Sequence, residues 1–271
     1  MISFKSRLRV IYAIVRKELK ISFRFPKNFI ATQVMNPLRL LVSFWLVYKS
    51  FFVITNNESI GTWSRVNYVA VLLIGTIFYT SCASAFYRYR QHFINEKYWG
   101  TIQILLTAPV SKFDFLTASS LAIAAEMAIP SVLYISLLIF SYGFSLATFG
   151  VIFIVLYFMI FAVLGLGLIQ GAVAIANENY LFIFDYLFAG MICFSCFYYS
   201  DSAIPAIFRP LVHINPIFHA VEIARNQIFH HLDGLEVLKK ILYLAAFALF
   251  APLAGAIVFR KVVREVGVRG F

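Results

Sequence analysis

Two carboxylates stand inside long apolar stretches, Glu126 and Asp185. A charge at membrane depth is costly, and it marks either a polar partner or a route for a polar cargo. Glu126 lies near the middle of its stretch and is a candidate for lining such a route. Asp185 lies only a few residues into its own stretch, where reaching an interface suffices. Arg39 is the evident basic residue in another stretch, but it sits nearer one end. Tyr79, Tyr87, Tyr134, Tyr198 and Tyr199 fall in or beside these stretches. Their rings serve as anchors at a water–lipid boundary, or line a path for an amphipathic or sugar-bearing molecule. His230-His231 has the residue type of a metal site but no carboxylate cluster to frame it. Cys193-Phe194-Ser195-Cys196 has CxxC spacing without a second pair, so inert thiols are expected. No GxxxxGK[ST], HExxH or GxSxG motif occurs. The sequence therefore offers no nucleotide site, metal site or catalytic set.

The elements that must position these residues belong to a bilayer. The chain is 62% hydrophobic and only 13% charged over 271 residues, with a mean hydropathy of +0.85. A soluble domain is about half apolar and about a quarter charged. Six apolar runs are long enough to span, at roughly 30–54, 66–87, 113–141, 148–175, 181–199 and 238–259. About 20 residues cover the ~30 Å hydrocarbon core. Each run should be helical, because lipid offers no partner to a free backbone group. Gly165, Gly167 and Gly171 give the fourth run a small-residue face for close helix approach.

The net charge of +11 comes without a nucleic-acid motif and reads as orientation and anionic-lipid contact. Sixteen Lys and Arg residues fall in the N-terminal segment, the 88–112 connection and the C-terminal tail, against five on the other side. Both termini are therefore expected in the cytoplasm of a multi-pass plasma-membrane protein.

Three polar segments complete the layout. Phe4, Leu8, Ile11, Tyr12, Val15, Leu19 and Phe23 recur at helical spacing within a basic segment, which predicts an amphipathic interface helix in 1–27 that Pro26 ends. Ile94, Tyr98, Ile102, Leu105 and Leu106 could share one face of a short cytoplasmic helix over 92–106, inside a 92–108 segment that Pro109 stops. The 200–237 segment is too long for a turn and too polar for a seventh span. Pro205, Pro210 and Pro216 break it into pieces, and Ile217–His230 reads as a helix too short to cross. Short outer re-entrant helices fit best, with an exposed outer cap as the alternative. The expected fold is thus an all-α membrane protein with one six-helix domain at 28–259 and a cytoplasmic tail at 260–271.

One stretch points further. Glu96-Lys97-x-x-Gly100-Thr101-Ile102-x-x-Leu105-Leu106-x-x-Pro109-Val110-Ser111 resembles the cytoplasmic segment of ABC-2 type transporter permeases, which tends to read E-K/R-x-x-G-T-L-E-x-L-L-x-x-P-V-S. Arg16-Lys17-Glu18-Leu19 with Arg24-Phe25-Pro26 is similar to that family's N-terminal entry. Ala203-Ile204-Pro205 and Asn215-Pro216-Ile217-Phe218-His219-Ala220-Val221-Glu222-Ile223-Ala224-Arg225 are similar to its outer segment. Gln103 departs from the family, where an acid is frequent, and Trp99 adds bulk. The resemblance implies a permease subunit of an ATP-driven exporter for a drug-like, lipid-linked or glycan cargo. Two copies, as a homodimer, would pair with a separate cytoplasmic ABC ATPase that carries the ATP and Mg. The 92–108 segment would then be the coupling helix, with Glu96, Gly100, Thr101, Leu105, Leu106 and Pro109 as its contact residues. The alternative is an ATP-independent six-helix channel or secondary transporter. It calls for polar residues concentrated at mid-membrane and has no use for helix 92–106.

Overall fold

The computed structural model describes residues 4–54, 59–60, 63–100, 111–142, 145–229 and 232–269. The described residues are almost entirely helical, apart from a small antiparallel pairing of Ser59–Ile60 with Trp63–Ser64. Helix α1 is Phe4–Arg24. It stops one residue short of Phe25-Pro26, and α2, Pro26–Ile30, starts on the proline, whose fixed φ suits a first turn. A π-helical turn, Ala31–Met35, joins α2 to α3, Asn36–Tyr48. A second π-helical turn, Lys49–Ile54, follows.

Then come α4, Arg65–Tyr98, α5, Lys112–Tyr142, and α6, Leu146–Ala176. Helix α6 is capped by the Ser145 hydroxyl, which accepts from the Thr148 N–H at 3.3 Å. The remaining helices are α7, Leu181–Cys193, α8, Arg209–Ile214, α9, Pro216–Phe229, and α10, Gly234–Arg269.

Among the described residues, four helical stretches are long and apolar enough to cross a membrane: Asn67–Tyr98, Phe113–Phe140, Leu146–Ala176 and Gly234–Glu265. The two other expected spans take different forms. Run 30–54 is helical throughout but is divided by the two π turns. Run 181–199 is helical only to Cys193, and thirteen residues rise about 20 Å. Its end is set by partners from elsewhere in the chain. The Met191 carbonyl accepts from the Asn215 amide at 2.7 Å and the Ser195 hydroxyl at 2.5 Å. Cys196 then turns the chain with φ at 52°.

Helix α6 is the hub, with α10 along one side and α4 along the other. Its glycines set these approaches. A Cβ on Gly165 would overlap the Ala251–Pro252 backbone, and one on Gly167 would stand 2.5 Å from the Phe86 carbonyl oxygen. On α10, a Cβ at Gly255 would stand 2.5 Å from the Gly165 carbonyl oxygen. The small-residue face read in the sequence is therefore the seam of the bundle. Val155, Leu156, Met159 and Val163 of α6 form one apolar core with Ile74, Phe78 and Cys82 of α4. Helix α10 keeps Leu242, Leu249, Phe250 and Ile257 exposed, the side a bilayer would cover. It also runs unbroken through the expected tail at 260–269.

Candidate functional site

Helix α4 carries the groups that matter, in order along its length. Its middle, Ile77 to Ser84, bounds a cavity of about 210 Å³ between the α2–α3 segment and α5. Gln33, Asn36 and Arg39 enter from one side, and Thr80, Ser81 and Ser84 from α4. Helix α5 closes the third side with Met127, Pro130, Ser131 and Tyr134. Several hydroxyls here are tied to backbone. Thr80 donates to Thr76 O at 2.7 Å, Ser131 to Met127 O at 2.5 Å, and Tyr134 to Val34 O at 2.8 Å. The last bond reaches into the π turn, where i→i+5 pairing shifts the helix face; such turns favour functional sites.

One helical turn further toward Tyr98 lies a charged hub. Glu126 is 2% exposed and pairs with Arg88 of α4 and with the Ser22 hydroxyl of α1. Arg88 also donates to Ser22 at 3.1 Å. Arg90 Nη1 donates to both Asp185 oxygens of α7, at 2.8 and 2.9 Å, and Gln170 of α6 joins at 3.2 Å. His92 lies 3.9 Å from Glu18 of α1. Lys97 Nζ meets Glu178, between α6 and α7, at 2.9 Å. A separate pair, Arg7 with Asp114 at 3.8 Å, ties α1 to α5. The end of α4 is thus a basic rod whose charges reach α1, α5, α7 and the Glu178 turn. It ends at Gly100, whose φ of 70° is the left-handed conformation that stops helices.

The opposite end of the bundle is stapled differently. Arg225 of α9 is buried and donates to the carbonyls of Cys196 at 2.6 Å and Phe197 at 2.8 Å. Burial pushes the guanidinium down to about 10, so it stays charged at neutral pH. Asn215 caps α9 by accepting from the Ile217 N–H at 3.0 Å. Glu222 pairs with Lys240 of α10. Gly75 of α4 lies so near Phe197 that a Cβ would overlap its carbonyl. Burial pulls the His219 imidazole below its ordinary value. Its Nε2 lies 2.7 Å from the His213 carbonyl.

A model of the ABC-2 type transporter family matches residues 9–229, most of the chain. The chain belongs to the ABC-2 type transporter family. No curated protein matches it significantly. It is a transporter permease, a helical membrane protein of a family that is generally not itself catalytic.

The residues singled out in the permease sequence separate in space. Tyr79 and Tyr134 both line the cavity. Tyr198 stands beside it, with its ring 6.4 Å from Tyr79 and 4.0 Å from Phe44. Tyr199 instead bonds the Cys193 carbonyl, at the Arg225 end of the bundle. Glu126 faces Arg88, not Arg39. Glu96 is buried on α4. Residues 92–98 of the expected coupling helix are the last turns of α4, and Gly100 follows. Thr101, Leu105, Leu106 and Pro109 lie outside the described residues, as do His230 and His231. No group of three or more metal-ligating side chains occurs among the described residues.

Sequence reading missed Arg88 as a partner, along with Ser81 and Ser84. The signal was present. Ser81, Ser84 and Arg88 follow at spacings of three and four, which is one face of a helix, but only if the helix runs past residue 87.

Proposed function

We propose that this permease is the membrane subunit of an ATP-driven exporter, working as two copies with a separate cytoplasmic ABC ATPase. The observation that carries this reading is the unbroken course of α4. One helix borders the cavity at Ile77–Ser84, holds the charged hub at Arg88–Lys97, and ends where the family-like 92–108 segment continues. A push or pull on that segment would reach the cavity through a rigid rod. The ion pairs to α1 and α7 would let neighbouring helices follow or let go. Such a transition needs the ATPase to bind one arrangement better than the other.

On this reading the inner side is the Tyr98 end, both termini are cytoplasmic, and the plasma membrane houses six crossings. Run 26–54 and the short α7 supply two of them, with 200–237 re-entering from outside. Exposed apolar side chains on α3 (Val42, Trp45, Leu46) and α7 (Phe182, Tyr186, Leu187) offer surface for the second copy.

The test is co-purification with an ABC ATPase from the same source, together with ATP-dependent transport in vesicles. Leu105→Asp and Gly100→Pro are each expected to abolish ATPase association while leaving the permease inserted. If association survives both changes, the coupling assignment is wrong.

A further inference from the structure

The cavity has a chemical bias that the transport reading does not use. Arg39, Gln33, Asn36, Ser81 and Ser84 line it, and none of their side chains has a protein partner among the described residues. Each can donate a hydrogen bond. No Asp or Glu lines the cavity, and no described acid pairs with Arg39, although seven ion pairs occur elsewhere. Arg39 lies about 20 Å along its helix from Pro26, level with the serines of α4. Arg39 and Asn36 are exposed on the protein's own surface, in a run that the transport reading places in the bilayer, where a guanidinium without a counter-charge calls for one from outside the chain.

Size and lining narrow the class. A cavity of about 210 Å³ is smaller than the roughly 300–1,000 Å³ that encloses a drug-sized molecule. It suits a head group. Leu40, Ile77 and Met127 interleave with the donors, and Leu38 and Val42 beside Arg39 are exposed, so an acyl tail could leave along an apolar flank. The planar fork of Arg39 matches phosphate or carboxylate oxygens.

We propose that this cavity binds the anionic head group, phosphate or carboxylate, of a membrane amphiphile, with Arg39 as counter-charge and Gln33, Asn36, Ser81 and Ser84 as donors. The inference rests on the transport reading for its purpose, since the bound amphiphile would be the cargo.

The experiment is lipid retention by the full-length protein, measured by native mass spectrometry. Detergent micelles would contain equal phosphatidylglycerol and phosphatidylcholine. Wild type is expected to retain phosphatidylglycerol about tenfold over phosphatidylcholine, and Arg39→Gln to lose that preference, a change of about 1.4 kcal/mol. Arg39→Lys should keep most of it, because the charge stays. Lys49→Gln removes a cation from the same helical run that lies over Trp45, outside the cavity, and should leave it intact. Ser84→Leu fills the cavity without changing charge and should also lose it; if that variant does not fold, the Arg39 and Lys49 variants carry the test.

Undiminished preference in Arg39→Gln, or equal loss in Lys49→Gln, would overturn the assignment. Release of the lipid by excess inorganic phosphate would reassign the site to a free anion and overturn the amphiphile. No ATPase enters this measurement. Loss of lipid preference with coupling intact sinks only this inference, and loss of coupling with lipid preference intact sinks only the transport reading.

Discussion

The two ends of the bundle are fastened by different chemistry. At the Tyr98 end, side chain meets side chain: Arg88 with Glu126, Arg90 with Asp185, Lys97 with Glu178. Such pairs can break and find water or another partner, so helices joined by them can part. At the other end, beside the Glu222–Lys240 pair, side chain meets backbone. Arg225 holds Cys196 and Phe197 carbonyls, and Asn215 holds Met191. A carbonyl in a buried loop has few alternative donors, and an unmade bond there is expensive. The Arg225 cap is therefore built to stay closed and the Tyr98-end hub to exchange.

The largest effect should come from breaking the cap. Arg225→Ala removes two short charged hydrogen bonds and orphans their carbonyls. The expected loss is about 3–6 kcal/mol, read as a lowered unfolding midpoint in detergent. A midpoint like that of wild type would show that the cap is not a staple. The inner clamp comes next. Glu126→Ala removes the buried partner of Arg88, whose own side chain stays 38% exposed, and should cost about 1–3 kcal/mol. The double variant Arg88→Met/Glu126→Met should recover most of that loss, because a pair removed together leaves no lone charge. Additive losses in the cycle would mean that the two residues act separately.

A smaller effect is expected for Arg90 and Asp185, which are both partly exposed. Arg90→Asp should cost about 1 kcal/mol or less in stability but impair transport, and the swap Arg90→Asp/Asp185→Arg should restore it. Transport that ignores both variants would remove this pair from the mechanism.

The smallest effect is a pH response of the cap. His219 Nδ1 is buried without a partner among the described residues. Its imidazole sits below the ordinary ~6.5. The unfolded chain then binds more protons than the folded one, so stability rises with pH and falls on acidification through ~6.5. Lowering the pH from about 7.5 to about 5.5 across that value should lower the midpoint in wild type and less so in His219→Gln. Equal shifts in both proteins would clear His219.

Much of the architecture was legible in the sequence, and the failures have a common cause. The apolar stripe of α1 and the stop at Pro26 are local signals, and local signals carried over. So did the glycine face of α6, because a missing side chain means close approach whatever the partner. The end of α7 was not legible. The apolar run continues through Phe197, while the donors that end the helix, Asn215 and Arg225, lie more than twenty residues away. The partner of Glu126 was missed for a related reason. Arg88 looks like the first residue of a polar connection, yet α4 continues through it as one helix. The polar lining of the cavity was half visible: Tyr79 and Tyr134 were singled out, whereas the π turn that carries Gln33 leaves no mark on hydrophobic periodicity.

The most direct measurement compares motion at the two ends. Spin labels at exposed Trp99 and Tyr180 would report the hub, and labels at exposed Ile207 and Leu235 the cap. Both pairs would be placed in protein with exposed Cys193 replaced by serine. Distances would be read in the complex with its ATPase, with and without ATP. The expected result is a distance change across the hub and an unchanged distance across the cap. A cap that opens while the hub stays fixed would contradict the division of labour drawn here.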